Sequence, residues 1–220
     1  MMIRVAEPEL MDAPDQVLAY SEADFDAAHD LFVACIRDAC GGAVAGTVLD
    51  LGCGPGDPTV RFALANPEAR IVGVDASEAM LDRASRRVAT AHLSTRVSFE
   101  QRRLPDTDLM ARPFDAVISN SLLHHLAAPD DLWTTIAACA RPGAAIVVMD
   151  LFRPDDPETV AALVDRYAAG APEVLRQDFR NSLHAAYRPD EIHDQLERGG
   201  LGYLAIRAVS DRHLVVSGRR

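Results

Sequence analysis

Five short apolar runs separated by helix-length segments constrain this chain more than any other feature. They read TVLDL (47–51), RIVGVD (70–75), RVSFE (96–100), FDAVISN (114–120) and AAIVVMDLF (144–152). Each has strand length; TVLDL, flanked by glycines, is apolar enough to be a buried strand, and AAIVVMDLF is the most apolar of the five. Helical patterns fill the gaps: DPTVRFALANP, SEAMLDRASRRVATAHL (77–93), and a segment from about Asp130 to Cys139. Asp57 and Ser77 stand where N-caps belong, and Pro58 suits a first turn. Alternation of this kind specifies a parallel sheet covered by helices on both faces. Two further runs, GYLAIRAV (202–209) and HLVVSG (213–218), are joined only by Ser210, Asp211 and Arg212. That link is too short for a parallel crossover, so the pair should form an antiparallel hairpin at the sheet edge.

The expected architecture is one α/β domain over residues 1–220. Residues 1–40 supply an N-terminal arm and helix, with the arm loose over 1–14. The helical pattern is continuous from Asp15 to Cys40, where Phe25, Ala28, Phe32, Cys35 and Ile36 recur at helix spacing. Residues 45–152 form the ligand-binding core. The interval 153–200 is about twice what a simple crossover needs and reads as a helical cap, and 201–220 is the terminal hairpin.

Composition removes several classes of function. The chain has 22 basic and 33 acidic residues, a net charge of −11, which disfavours nucleic acid and anionic membrane as partners. All the basic residues are arginine. Without lysine there is no Schiff-base chemistry with pyridoxal phosphate and no P-loop phosphoryl transfer. Cys35, Cys40, Cys53 and Cys139 form no CxxC pair and have no metal-ligand spacing, so no metal is expected. The start of the chain has no signal-peptide pattern, and no apolar stretch approaches the ~20 residues of a membrane span. A reduced, cytoplasmic protein is expected, monomeric or homodimeric.

The first strand runs into Gly52-Cys53-Gly54-Pro55-Gly56. In a doubly wound sheet ligands bind beyond the carboxyl ends of the strands, and glycines there let backbone approach a ligand. The spacing is GxGxG, whereas the dinucleotide fingerprint is GxGxxG, whose last position is Asp57 here. An acid at that point opposes a pyrophosphate. Asp50 lies inside the first strand, and Asp75 ends the second, where a carboxylate can accept from both ribose hydroxyls. The pattern favours a nucleoside carrying positive charge.

VLDLGCGPG, GVDASEAML, FDAVISNSLLHHL and RPGAAIVVMDL stand in the order and at the spacing of the class I S-adenosylmethionine-dependent methyltransferases. Over residues 45–152 the chain resembles that family, in particular its small-molecule enzymes related to ubiquinone and menaquinone C-methyltransferases. The resemblance implies a Rossmann-like, mostly parallel seven-stranded sheet with a C-terminal antiparallel hairpin. It implies S-adenosylmethionine as cofactor, S-adenosylhomocysteine as product, and methyl transfer to a small-molecule acceptor. By the same resemblance, Gly52 and Gly54, with Cys53 between them, cradle the methionine part. Asp50 orients its amino end, Asp75 holds the ribose, Ala76 and Met80 pack near adenine, and Asn120 meets the methionine end. Relatives often place an acid after the third strand to bind the adenine amine. This chain has Arg102 and Arg103 there, leaving adenine to backbone near Leu104 or to Asp106. Tyr20, on a leading helix, is a candidate for closing over the cofactor.

Transfer from a sulfonium is an in-line displacement, so placement of the nucleophile does most of the work. His124 and His125 are the candidates for a general base, while a structural role in shaping the cofactor pocket is the reading the sequence favours. For the acceptor, Arg153 leaves the fifth strand at its carboxyl end; it either grips an anion or pairs with Asp155 or Asp156. Arg180, His184 and Tyr187 share a helical stripe that either lines a cavity or faces solvent. Two other readings stand beside transfer: a protein that binds the cofactor without using it, and an NAD-dependent oxidoreductase. A nucleic-acid methyltransferase is weaker, because the loop after the fourth strand lacks the Pro-Pro-aromatic sequence.

Overall fold

The computed structural model describes residues 2–8 and 12–220. A seven-stranded sheet is ordered β3-β2-β1-β4-β5-β7-β6. Its strands are β1 (Gly46–Leu51), β2 (Ala69–Asp75), β3 (Val97–Gln101), β4 (Phe114–Asn120), β5 (Ala140–Leu151), β6 (Ala205–Ala208) and β7 (His213–Arg219). β1 to β5 run parallel, and β7 runs antiparallel between β5 and β6. The terminal hairpin is therefore inserted beside β5, with the short β6 at the edge.

Both faces of the sheet are covered. On one, α2 (Asp26–Cys40), α3 (Asp57–Ala65) and α4 (Glu78–Thr90) bury Phe32, Ile36, Phe62 and Val88 against Val48, Ile71 and Val147. On the other, α5 (Thr107–Met110), α6 (Asp130–Cys139) and α9 (Pro189–Arg198) pack Leu109, Trp133, Ile136 and Leu196 against Leu49, Val117 and Ile146. Trp133 is fully buried and donates its indole N–H to Gln195 at 2.9 Å, which satisfies its one polar atom. Burial on both sides explains why β1, β4 and β5 are mostly apolar along their length rather than alternating.

Three expectations change. The pattern from Asp15 to Cys40 is two helices, α1 (Pro14–Glu22) and α2, separated at Ala23–Phe25. Asp57 does not cap α3: Gly56 does, at φ +81, and Asp57 is the first helical residue. Ser77 does cap α4, accepting from the Met80 N–H. The arm is not loose over residues 2–8. The Met2 N–H donates to Asp155 O and the Val5 N–H to His184 O, both at 3.1 Å. Arg4 donates to Ala185 O, His124 O and Leu126 O and stacks 4.0 Å over the Tyr187 ring. Residues 9–11 of the expected arm lie outside the described residues.

The 153–200 interval holds α7 (Pro157–Tyr167), α8 (Glu173–Ala185) and α9. Val160, Leu163, Val164 and Leu183 form a separate small core with Leu151. This core fixes α7 and α8 against the end of β5, above the carboxyl edge of the sheet.

Candidate active site

The chain order reverses between β1 and β4, so the crevice at their carboxyl ends is the position a doubly wound sheet gives to a ligand. The loop after β1 is folded back on β2: the Gly52 and Cys53 N–H groups both donate to Val74 O, at 2.8 and 3.1 Å. Gly52 has φ +69, and a Cβ there would meet Leu122 at 2.8 Å. Gly54 has φ +52, and its Cβ direction is open, with nothing within 4 Å among the described residues. Gly52 is thus required by packing, whereas Gly54 leaves room for something outside the chain.

That room is a cavity of about 330 Å³. Asp50, Gly52, Cys53 and Gly54 edge it from β1 and its loop, and Asp75, Ala76 and Met80 from β2 and α4. Leu104, Asn120 and Tyr20 complete the ring, so every residue expected at the cofactor sits on this one cavity. Asp75 accepts from the Gly54 and Ser77 N–H groups, both at 2.9 Å, which fixes its carboxylate at the rim. Burial outweighs these bonds and raises its pKa. Asp50 is 2% exposed and accepts from the Thr59 hydroxyl at 2.6 Å. Burial pushes its pKa up to about 6, opposed by that bond and helped by Asp75. Burial, then Asp50 and Asp75, raises the Cys53 thiol well above its usual range, so it stays protonated. Asn120 Oδ1 is buried with no hydrogen-bond partner among the described residues. A carbonyl oxygen and two carboxylates around one hollow form an acceptor-rich seat suited to a cationic, hydroxyl-bearing ligand.

Two sequence arguments about this cavity do not hold. Asp57 is not an unpaired repulsive charge: it accepts from His29 at 2.5 Å, Arg61 at 2.7 Å and Arg87 at 2.9 Å. The His29 bond, then Arg61, holds its pKa well below the usual carboxylate range. Asp106 is not available to adenine either. It caps α5 by accepting from Leu109 N–H and pairs with Arg102 at 3.2 Å.

A second cavity of about 860 Å³ adjoins the first and shares Tyr20, Asn120, Ser121 and His125 with it. Its roof is α8, through Leu175, Asp178, Phe179 and Ser182, with Gln16 on α1 and Glu7 on the arm. At the junction Ser121 adopts φ +56, an uncommon left-handed conformation for a non-glycine residue. It turns the chain out of β4 into a short 3-10 turn, Leu123–His125. Asp150, buried on β5, holds that turn by accepting from Leu123 N–H at 2.7 Å, and it also bonds His124 Nδ1.

His124 and His125 lie with ring centroids 4.2 Å apart. Burial works against a charged His124, but Asp150 and then Glu7 outweigh it and raise its pKa. Burial and His124 push His125 down to about 3, so its ring is neutral. Both rings reach one carboxylate: Glu7 Oε1 is 3.2 Å from His125 Nδ1 and 3.5 Å from His124 Nε2. Burial raises the Glu7 pKa.

The residues expected at the acceptor are placed elsewhere. Arg153 is 3% exposed and fully engaged, donating to Glu191 Oε1 at 2.6 Å, Ala186 O at 2.7 Å and Met2 O at 3.2 Å. It pairs with neither Asp155 nor Asp156; it staples β5 to α9 and the arm. Arg180, His184 and Tyr187 do not line the large cavity. Arg180 donates to Gln177 on its own helix at 3.2 Å, and His184 receives the Val5 N–H. Tyr187 donates its hydroxyl to Leu126 O at 2.9 Å beneath Arg4. The Leu175–Ser182 face of α8 borders the cavity instead, and the arm meets the end of that helix through Val5 N–H to His184 O and Ser182 to Glu7. Glu7 and Asp150 were not found by sequence reasoning. Asp150 had a signal, as the one charge inside the most apolar strand; Glu7 had none.

Residues 48–143 match the family model described as "Methyltransferase domain". The 27-O-demethylrifamycin SV methyltransferase of Amycolatopsis mediterranei is 32% identical over 122 residues, 54% of this chain and 43% of that protein. The ubiquinone biosynthesis O-methyltransferase of Bordetella pertussis is 27% identical over 197 residues, covering 86% of this chain and 76% of that one. Against an O-methyltransferase family protein from Burkholderia thailandensis the fold superposes with a TM-score of 0.72 at 20% identity, over 93% of this chain and 59% of the other. The chain spans less than half the length of the first curated relatives it matches.

Proposed function

We propose, for a chain that carries a class I S-adenosylmethionine-dependent methyltransferase domain, that it transfers a methyl group from S-adenosylmethionine to a small molecule held in the larger cavity. One observation carries this reading: an acceptor-rich hollow suited to a cationic nucleoside opens onto a second, larger hollow through a shared wall of Tyr20, Asn120, Ser121 and His125. The donor would lie in the first with its ribose on Asp75, its ammonium toward Asp50 and Asn120, and its sulfonium methyl at the shared wall. Gly52, Cys53 and Gly54 would pass beneath the methionine part, and Ala76, Met80 and Leu104 beside adenine. Displacement at the sulfonium carbon then depends on alignment of the acceptor behind the methyl, which is a matter of position more than of acid–base chemistry. His125 stands in the shared wall and His124 lines the larger cavity beside it, where the reacting atom of the acceptor would arrive. Tyr20, on α1, belongs to both cavities and would separate the cofactor from solvent.

The lining of the larger cavity, with Leu175 and Phe179 beside Asp178, Ser182 and Arg212, suits a mixed apolar and polar organic acceptor. The O-methyltransferase relatives favour oxygen as the atom methylated. We place the reaction in the cytoplasm. Supporting this, Cys35, Cys40, Cys53 and Cys139 are all free thiols, and among the described residues no helix is long and apolar enough to cross a membrane.

Calorimetric titration of ligand-free protein with S-adenosylhomocysteine, and separately with NAD, tests the donor site. Micromolar binding of the first and none of the second is expected. The reverse result would establish the oxidoreductase reading instead. An acceptor screen read by S-adenosylhomocysteine release then separates transfer from mere binding. If tight binding gives no turnover with any hydroxylated acceptor, the protein is a cofactor-binding one.

A further inference from the structure

We propose that Glu7, His124 and His125 form the binding site of a divalent transition-metal ion whose remaining coordination positions open into the larger cavity. The ligand atoms of the three all lie within 4.8 Å of one another. Two ligands on one such ion, each about 2.0–2.2 Å from it, stand roughly 2.9–3.5 Å apart between octahedral and tetrahedral geometry. The observed separations from Glu7 Oε1, 3.2 Å to His125 Nδ1 and 3.5 Å to His124 Nε2, fall in that interval.

The nitrogens are prepared as donors of lone pairs. His124 Nδ1 is held by the buried Asp150 carboxylate, the carboxylate–histidine arrangement that directs the opposite nitrogen at a metal. His125 is bonded to the Pro8 backbone, while its Nδ1 is buried with no hydrogen-bond partner among the described residues. A bare ring nitrogen facing a carboxylate oxygen at 3.2 Å is a repulsive contact that a shared cation would turn into an attractive one. Ser182 donates to Glu7 at 3.1 Å and orients the carboxylate. Asp150 and Asp178 act electrostatically on Glu7, adding negative potential where the cation would sit. Two imidazoles and one carboxylate suit zinc, cobalt, nickel or iron better than magnesium or calcium.

The ion itself does not depend on methyl transfer; what it would do there rests on that reading. On it, an acceptor hydroxyl would bind the metal and lose its proton to water. Its oxygen would then form the new O–CH3 bond as the S–CH3 bond breaks, leaving neutral S-adenosylhomocysteine. Bound metal lowers the pKa of a coordinated hydroxyl, which removes the need for a protein base.

The test uses the full chain, stripped with chelator and titrated with ZnCl2 or CoCl2 alone. One ion per chain is expected, with Glu7→Gln and His125→Asn each weakening binding at least tenfold. Absence of stoichiometric binding by the unaltered protein, or binding unchanged in both variants, would overturn the site. If the variants do not fold, imidazole nitrogen shifts of the unaltered protein decide. Movement of His124 and His125 on adding Zn2+ supports the site; movement only of other histidines, such as exposed His92, rejects it. S-adenosylhomocysteine titrations on the same samples stand separately. Lost nucleoside binding with metal retained would refute the transfer reading and leave the metal.

Discussion

The two cavities differ in what builds their walls. The smaller is floored by strand ends and the loops that leave them, held by backbone hydrogen bonds such as Gly52 and Cys53 to Val74 O, with Tyr20 of α1, His29 of α2 and Met80 of α4 on its sides. The larger is roofed by α1, α8 and the arm, which come from distant parts of the sequence. On the proposed function, the floor of the donor pocket would be set by the sheet itself, and the roof of the acceptor pocket by segments attached outside it. That division suits a scaffold keeping one donor while its acceptors vary.

The largest expected effect tests whether the acceptor wall really depends on such an attachment. Arg153 is buried and joins β5, Glu191 and the Met2 carbonyl. Removing one partner of a buried ion pair costs about 3–5 kcal/mol. Arg153→Ala should lower the melting temperature by roughly 6–20 °C for a chain of this size. At a temperature where the variant is folded, its affinity for S-adenosylhomocysteine should stay within about threefold of the unaltered protein, a change below 1 kcal/mol. A variant that melts normally would show that the staple is not structural, and one that loses donor affinity would show that the two pockets are not independent.

Next in size is the complementary change on the donor side. Gly54→Val places a β-branched side chain at φ +52, pointing into the open volume of the smaller cavity. Calorimetry should show S-adenosylhomocysteine binding weakened about 100-fold, or 2.7 kcal/mol. Unchanged binding would mean that the ligand does not pass over Gly54, and the assignment of donor to this cavity would fail.

How much of each region was legible follows the same division. The order of strands and helices, the hairpin and the gathering of Asp50 to Asn120 on one cavity could be read because they depend on local periodicity and on a loop whose partners lie within a strand or two. The break at Ala23–Phe25 was missed because the apolar spacing of α1 and α2 runs through it. The cap of α3 was misjudged because Asp57 is drawn into a cluster with His29, Arg61 and Arg87, leaving Gly56 to begin the helix. On the acceptor side, the sequence leaves Arg153 between an anionic ligand and Asp155 or Asp156, and the Arg180, His184, Tyr187 stripe between a cavity and solvent. Arg153 in fact bonds Glu191 of α9 and Met2 of the arm, Arg180 bonds Gln177 on its own helix and Tyr187 bonds Leu126 O, and no local pattern announces that a segment more than 100 residues earlier will dock beside Arg153. Glu7 is the extreme case: an acid in a seemingly loose arm whose importance comes only from where Arg4 anchors it.

A tenfold effect is expected from pH, and it sharpens the donor side further. Asp50 has its pKa pushed up to about 6 by burial, so in the free protein it is protonated below that value. An ammonium group beside it favours the carboxylate, so binding must remove the proton at a cost of about 1.4 kcal/mol per pH unit below 6. Affinity for S-adenosylhomocysteine should rise about tenfold per unit between pH 5 and 6 and level off above about pH 7. Asp50→Asn should flatten that rise. A flat profile in the unaltered protein would remove Asp50 from contact with the ammonium end.

The smallest effect is a null result that separates helix face from cavity face on α8. Arg180 and Phe179 are neighbours in sequence, but only Phe179 borders the large cavity, while Arg180 bonds Gln177 along the helix. Arg180→Ala should change stability by less than about 0.5 kcal/mol and leave the acceptor KM unaltered, because a solvent-facing contact of this kind contributes little. Phe179→Ala removes apolar contact area from the roof and should raise KM severalfold with little change in donor affinity, since one buried aromatic face lost from a ligand is worth about 1–2 kcal/mol. If instead Arg180→Ala raised KM and Phe179→Ala did not, α8 would be rotated about its axis relative to the arrangement described. The acceptor would then lie against the stripe that ends at Tyr187. Measuring both variants with one acceptor therefore fixes the orientation of the one helix on which the shape of the larger cavity most depends.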